Sequence, residues 1–161
     1  MYKAIIDSNI FIDFMFHREP FYKESEKIIG LCENKKIKGY VTTSILMDLH
    51  YIFRKFSHSN KTANQAIMDI LNVFSVIEIS EKDINMSISQ NSGDFEDLVI
   101  ENSSIRNRMD LIITRNIKDF KNEKIIKYSP KEILQKIDYG KIWLCLKCLL
   151  VTINLIKSYL S

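Results

Sequence analysis

Ala4-Ile5-Ile6 is cut off by Asp7-Ser8-Asn9, and Ile10-Phe11-Ile12 resumes the apolar run. A short apolar run bounded by polar residues reads as an interior strand, and the second run reads as the buried face of a following helix. Asp7 then stands at a strand tip. In open parallel sheets ligands bind beyond the carboxyl ends of the strands, so an acid delivered there is a candidate site residue. Asp and Ser are also strong helix N-caps, which leaves a cap as the competing explanation of Asp7.

The same alternation continues down the chain. Phe21 to Cys32 carries apolar residues on one helical face, and Gly39 separates the basic Lys35-Lys36-Ile37-Lys38 run from a β-branched strand, Tyr40 to Thr43. Thr43 or Ser44 is expected to cap a helix from Ile45 to Phe56 with Asp48 in its first turn, where an acid also suits the helix dipole. A polar loop at Ser57 to Lys61, a helix from Ala63 to Val73 and a strand from Phe74 to Ile79 follow. Ser80-Glu81-Lys82-Asp83 opens a helix that fades at Gln90-Asn91-Ser92-Gly93, and Asp94-Phe95-Glu96-Asp97 leads another to about Arg106. Met109 to Ile113 is a further strand, Lys124 to Tyr128 a final weak one, and Ser129-Pro130-Lys131-Glu132 starts a closing helix to Ile137. Strands alternating with crossover-length helical connections predict a three-layer α/β/α sandwich with a mostly parallel central sheet.

With 161 residues, 46% apolar and 27% charged, only four Gly and two Pro, the chain has the composition of a packed domain, not of a fibrous or disordered polymer. A net charge of +3 suits an anionic partner without by itself implying nucleic acid. Cys32, Cys145 and Cys148 are an odd set with no framework spacing, and the apolar stretch between Lys3 and Asp7 is too short for a signal peptide. A cytoplasmic protein is expected. The domain is expected to span residues 1–138, followed by an apolar helical tail at 139–161. Lys147 interrupts that tail, which favours packing on this domain or on a second copy over a membrane anchor.

Asp7, Asp48, Asp94, Asp97 and Asp119 all fall at expected strand or helix boundaries, and parallel topology would bring them to one sheet edge. Crowded carboxylates raise one another's pKa unless a cation neutralises them. Hard oxygen donors without paired His or Cys select Mg²⁺ or Mn²⁺, ions suited to phosphodiester hydrolysis. The alternative is that each acid is a separate cap or solvated charge.

Asp7-Ser8-Asn9, Thr43-Ser44 with Asp48, Asp94-Phe95-Glu96-Asp97 and the Ile112 to Phe120 segment together resemble the PIN-domain family, ribonucleases that include VapC-type toxins. The likeness runs from Met1 to about Ile137. It implies a Mg²⁺ or Mn²⁺ site, endonucleolytic cleavage of RNA, a homodimer and a cognate antitoxin. Carried over by position, Asp7, Asp48, Asp97 and Asp119 would be the metal ligands. Asp48 stands where many members have Glu, and Asn116 where many have a further Asp, so Asp119 would supply that charge. Ser8, Asn9, Ser44, Asp94, Thr114 and Asn116 would orient the acids or water, and Arg115, Lys118 and Lys121 would meet RNA phosphates. His17, His50 and His58 match no part of the pattern and are expected at the surface or in packing. The rival function is a PIN-fold module that binds RNA or protein with its catalytic site weakened.

Overall fold

A computed structural model describes residues 1–90 and 93–137. The expected tail, with Cys145 and Cys148, lies outside the described residues. The elements run β1 (Lys3–Ile6), α1 (Ser8–Met15), α2 (Tyr22–Glu33), β2 (Lys38–Thr42), α3 (Thr43–Ser57), α4 (Asn60–Val73), β3 (Ser75–Ile77), α5 (Glu81–Gln90), α6 (Phe95–Arg106), β4 (Leu111–Ile113), β5 (Ile126–Tyr128) and α7 (Pro130–Lys136). The five strands form one sheet in the order β3-β2-β1-β4-β5, and every adjacent pair is parallel. The expected α/β architecture is therefore present.

Strands β1 and β4 are the centre of this sheet. Ala4, Ile5 and Ile6 are fully buried, as are Leu111, Ile112 and Ile113, although successive side chains in a strand point to opposite faces. Both faces must be covered, and this explains why these strands read as unbroken apolar runs. α5 packs on α6, while α1, α2, α3, α4 and α7 form a second contiguous set. α6 is buried along Leu98 to Ser104, polar residues included, so it has no amphipathic stripe to read.

Close approach decides one glycine. A Cβ on Gly39 of β2 would lie 2.6 Å from a Phe74 ring carbon and 2.9 Å from Cys32 Sγ, so no larger residue fits without displacing the core. Several element ends differ from expectation. Thr42, not Thr43 or Ser44, caps α3, its Oγ1 accepting from Ile45 N at 3.2 Å. Because α3 begins at Thr43, Asp48 sits in its second turn, and the helix-dipole explanation for this acid fails. β3 and β4 are shorter than their apolar runs, since only the residues with a laddered neighbour pair. α7 starts as expected, with Ser129 as N-cap, a capping box with Glu132 and Pro130 in the first turn.

Candidate active site

The strand order reverses between β1 and β4, and such a switch point opens a crevice at the carboxyl ends of the strands. Ile6 pairs with Ile113, and Asp7 N donates to Ile113 O at 3.0 Å, so Asp7 and Thr114 leave the sheet side by side. Asp7 occupies the N-cap position of α1, yet its side chain makes no cap hydrogen bond. Its Oδ2 instead accepts from Asn9 Nδ2 and from Thr114 Oγ1, each at 2.6 Å, and Oδ1 receives a longer bond of 3.3 Å from Ser8 Oγ. The cap explanation of Asp7 is excluded by this geometry. Asn9 also reaches Thr114 Oγ1 at 3.1 Å, and Asn116 N donates to the same oxygen at 2.9 Å. Burial pushes the Asp7 carboxyl upward, opposed by the bonds from Thr114 and Ser8 and by the charge of Arg115.

Asp97 stands in the first turn of α6. Desolvation and the charges of Asp7, Asp94, Asp119 and Glu101 push its carboxyl up to about 7. The expected acids are thus close enough to repel one another. Asp94 is the N-cap of α6, its Oδ1 accepting from Glu96 N at 2.9 Å and Asp97 N at 3.4 Å, which fixes the turn that carries Asp97. Asp48 arrives from α3 and hydrogen-bonds Glu96, whose carboxyl is pushed to about 7 by desolvation, by that bond and by the charges of Asp48, Asp97 and Asp7. Asp119 is exposed on the loop after β4. Ser44 Oγ lies 2.9 Å from Thr42 Oγ1, bound to the α3 cap and not to an acid. Among the described residues, no three carboxylate, imidazole or thiol groups are already gathered tightly enough to hold one ion. The donor set still fits a hard divalent cation, because Asp7 at the end of β1 and Asp48 of α3 add their charges to those that raise the carboxyls of α6, Asp7 at both Glu96 and Asp97 and Asp48 at Glu96.

Several buried or partner-bound acids escape a boundary-based reading. Glu96 is one. Glu101, one turn beyond Asp97 on the same helix face, is fully buried; Oε1 accepts from Asn122 N at 2.8 Å and pairs with Lys127 Nζ at 3.0 Å, while Oε2 has no partner. Its spacing of four from Asp97 was the available signal. Asp13 is fully buried at the far end of α1 and pairs with Arg115 Nε at 3.0 Å.

The three cations expected to meet RNA differ in setting. Arg115 faces Asp13, whereas Lys118 and Lys121 are exposed, and Lys121 lines a groove of about 470 Å³ with Gln90, Leu98, Asn122, Glu123 and Lys124. Of the histidines, exposed His17 stacks on Tyr22 at 4.3 Å, His50 bonds Asn64 at 2.8 Å and His58 is the C-cap of α3. No described helix is long and apolar enough to cross a membrane.

The structure is similar to a toxin-antitoxin complex from Klebsiella pneumoniae (22% identity, TM-score 0.58, 80% of this chain and 98% of that one covered). It also resembles VapBC2 from Rickettsia felis bound to a promoter DNA fragment (22%, 0.55, 78% and 97%). A third likeness is to DNA-bound VapBC from Salmonella typhimurium (14%, 0.61, 81% and 99%). At these identities the likeness is one of fold. No curated protein matches the chain in sequence. The sequence pattern of the PIN domain, however, matches residues 3–118, from β1 through the acids of α3 and α6 to the loop after β4. Since that match takes in most of the chain and both strands that flank the crevice, this protein belongs to the PIN-domain family.

Proposed function

We propose that the protein is a metal-dependent endoribonuclease that hydrolyses phosphodiester bonds of single-stranded RNA, with Asp7, Asp48, Asp97 and Asp119 holding Mg²⁺ or Mn²⁺. The observation that carries this reading is the gathering of acids around Asp97, whose carboxyl is pushed up to about 7 by desolvation and by the charges of Asp7, Asp94, Asp119 and Glu101. A packed domain keeps such an arrangement when a ligand relieves it. A bound divalent ion would neutralise these acids, activate water and stabilise charge on the phosphate.

The chain's own residues prepare that site. Asn9 and Thr114 fix the Asp7 carboxylate through Oδ2, while Oδ1 carries the longer bond from the Ser8 hydroxyl. Asp94 caps the first turn of α6, the turn that carries Asp97. Glu96 meets Asp48 and extends the carboxylate corner where Asp48 is one methylene shorter than a glutamate. Lys118 and Lys121, both exposed beyond β4, are the phosphate contacts of this reading.

The toxin-antitoxin complexes of similar fold support a toxin role with a small antitoxin partner, and the family likeness supports a homodimer. Purified protein with Mn²⁺ should cut labelled single-stranded RNA, and Asp7→Asn should abolish cutting while circular dichroism stays unchanged. Equal activity in Asp7→Asn sinks the proposal. The rival reading, an RNA-binding module that does not cut, draws on the absence of a ready three-acid cage among the described residues. RNA binding without Mn²⁺-dependent cleavage, and without a carboxylate-dependent Mn²⁺ heat in calorimetry, would favour it.

A further inference from the structure

We propose that Phe21, backed by the guanidinium of Arg115, is a stacking platform for one unpaired nucleobase of the RNA beside the acid cluster; the inference rests on the RNA-cleaving reading above. Arg115 directly follows Thr114, the residue whose hydroxyl donates to Asp7 at 2.6 Å. Its backbone N donates to Asn9 Oδ1 at 3.3 Å. Its Nε lies 3.0 Å from Oδ2 of Asp13, a carboxylate with no exposed surface, and Arg18 Nε approaches the other oxygen at 3.9 Å. The guanidinium carbon is 4.3 Å from the centroid of the Phe21 ring. Arg115 is therefore tied at its backbone and lies between an ion pair with Asp13 and the Phe21 ring, so its charge is directed at Asp13, away from the phosphate role expected of it.

Phe21 precedes α2 and keeps 37% of its surface exposed. An isolated exposed aromatic needs no explanation, but this one lies against an ion-paired cation whose neighbour in the chain, Thr114, bonds Asp7. Single-stranded RNA is recognised by splaying bases onto aromatic rings and Arg planes, and each base has a π face, so such a platform tolerates any sequence. A ring already held in place loses little entropy on binding. The exposed Arg18 and Lys118 nearby in the sequence of the two loops add positive charge for the same strand.

The test is an equilibrium titration of full-chain Asp97→Asn protein, in which the proposed cutting is blocked, against fluorescein-labelled single-stranded RNA. Phe21→Leu, added to that background, keeps an apolar side chain and removes the π face; Phe21→Trp restores one. Phe21→Leu should weaken Kd about ten-fold with the slope of log Kd against log salt unchanged, and Phe21→Trp should bind as tightly as the Phe21 protein. In RNAs carrying single abasic sites, one position should cost the Phe21 protein a similar factor and cost Phe21→Leu nothing. An unchanged Kd, a loss of affinity with a changed salt slope, equal abasic profiles in both proteins, or no RNA binding at all overturns the platform. The abasic dependence together with no Mn²⁺-dependent cutting by the unmodified protein supports the platform and refutes the nuclease reading.

Discussion

Replacing Asp97 by Asn removes one negative charge from the middle of the acid cluster while keeping the side-chain shape, so it should raise stability and abolish cleavage together. A carboxyl pushed from 3.8 to about 7 corresponds to about 4 kcal/mol of differential interaction if fully realised. Asp97 is partly exposed, and two of its four acidic neighbours, Asp94 and Asp119, are screened by solvent, which reduces the realisable penalty of desolvation and repulsion to roughly 1.5 kcal/mol. The same charge sits in the first turn of α6, where the helix dipole favours it by about 0.5 kcal/mol. The net gain at pH 8 is therefore about 1 kcal/mol, or about 3 °C in Tm for a chain of this size. The pH dependence follows from the raised folded-state pKa. The folded protein keeps a proton that the unfolded chain releases near pH 4, so the wild type loses stability as pH rises from about 4 to about 7. Only below about pH 4 is the carboxyl protonated in both the folded and the unfolded chain, so the gap between the two proteins should be smaller at pH 5 than at pH 8 and vanish in stronger acid. Thermal melts in EDTA at pH 5 and pH 8 measure this directly, and added Mn²⁺ at pH 8 should stabilise the wild type more than Asp97→Asn. A variant less stable than wild type at pH 8, or a difference equal at both pH values, would refute the idea that these acids repel one another in the fold.

Thr114→Val removes the donor to Asp7 and the acceptor for Asn116 N, so stability should fall by about 1–3 kcal/mol and Mn²⁺ affinity, read by calorimetry, by roughly 10- to 100-fold. Gly39→Ala should cost about 1–3 kcal/mol in urea denaturation, because its new methyl would meet the Phe74 ring at 2.6 Å. Asp83→Ala strands Arg106, which now donates to both oxygens of Asp83 at 2.8–3.0 Å, and should cost about 3 kcal/mol at pH 7. Arg106 and Ser80 hold the Asp83 carboxyl below its usual range. Its contribution is present above that range and lost as pH falls through it, so the gap between wild type and Asp83→Ala in urea midpoint should shrink in acid.

Local pattern made most of the elements legible. Ala4 to Ile6 and Leu111 to Ile113 read as strands because both faces of each are covered, and Ser129-Pro130-Lys131-Glu132 read as a helix start because a capping box is a property of four neighbouring residues. Ends set by partners were less legible. Thr42, Thr43 and Ser44 all carry a hydroxyl, and only the path of the chain off β2 decides which one meets Ile45 N. Asp48 illustrates the consequence for the site: a shift of the cap moved it from the first turn to the second and removed the helix dipole as its cause.

The sequence by itself determined the alternation of strands and helices, the parallel class, and the placing of Asp7 and Asp97 at element boundaries, since periodicity and capping are short-range effects. Tertiary structure alone decided that β1 lies between β2 and β4, and so that Thr114, 107 positions along the chain, donates its hydroxyl to Asp7. It alone decided the pairings of Asp13 with Arg115, Asp83 with Arg106 and Glu101 with Lys127. In the sequence the partners of each pair stand far apart, and nothing marks them as partners. An acid can be buried only where a distant partner compensates its desolvation, and which partner arrives is a matter of strand order and helix packing, not of neighbouring residues.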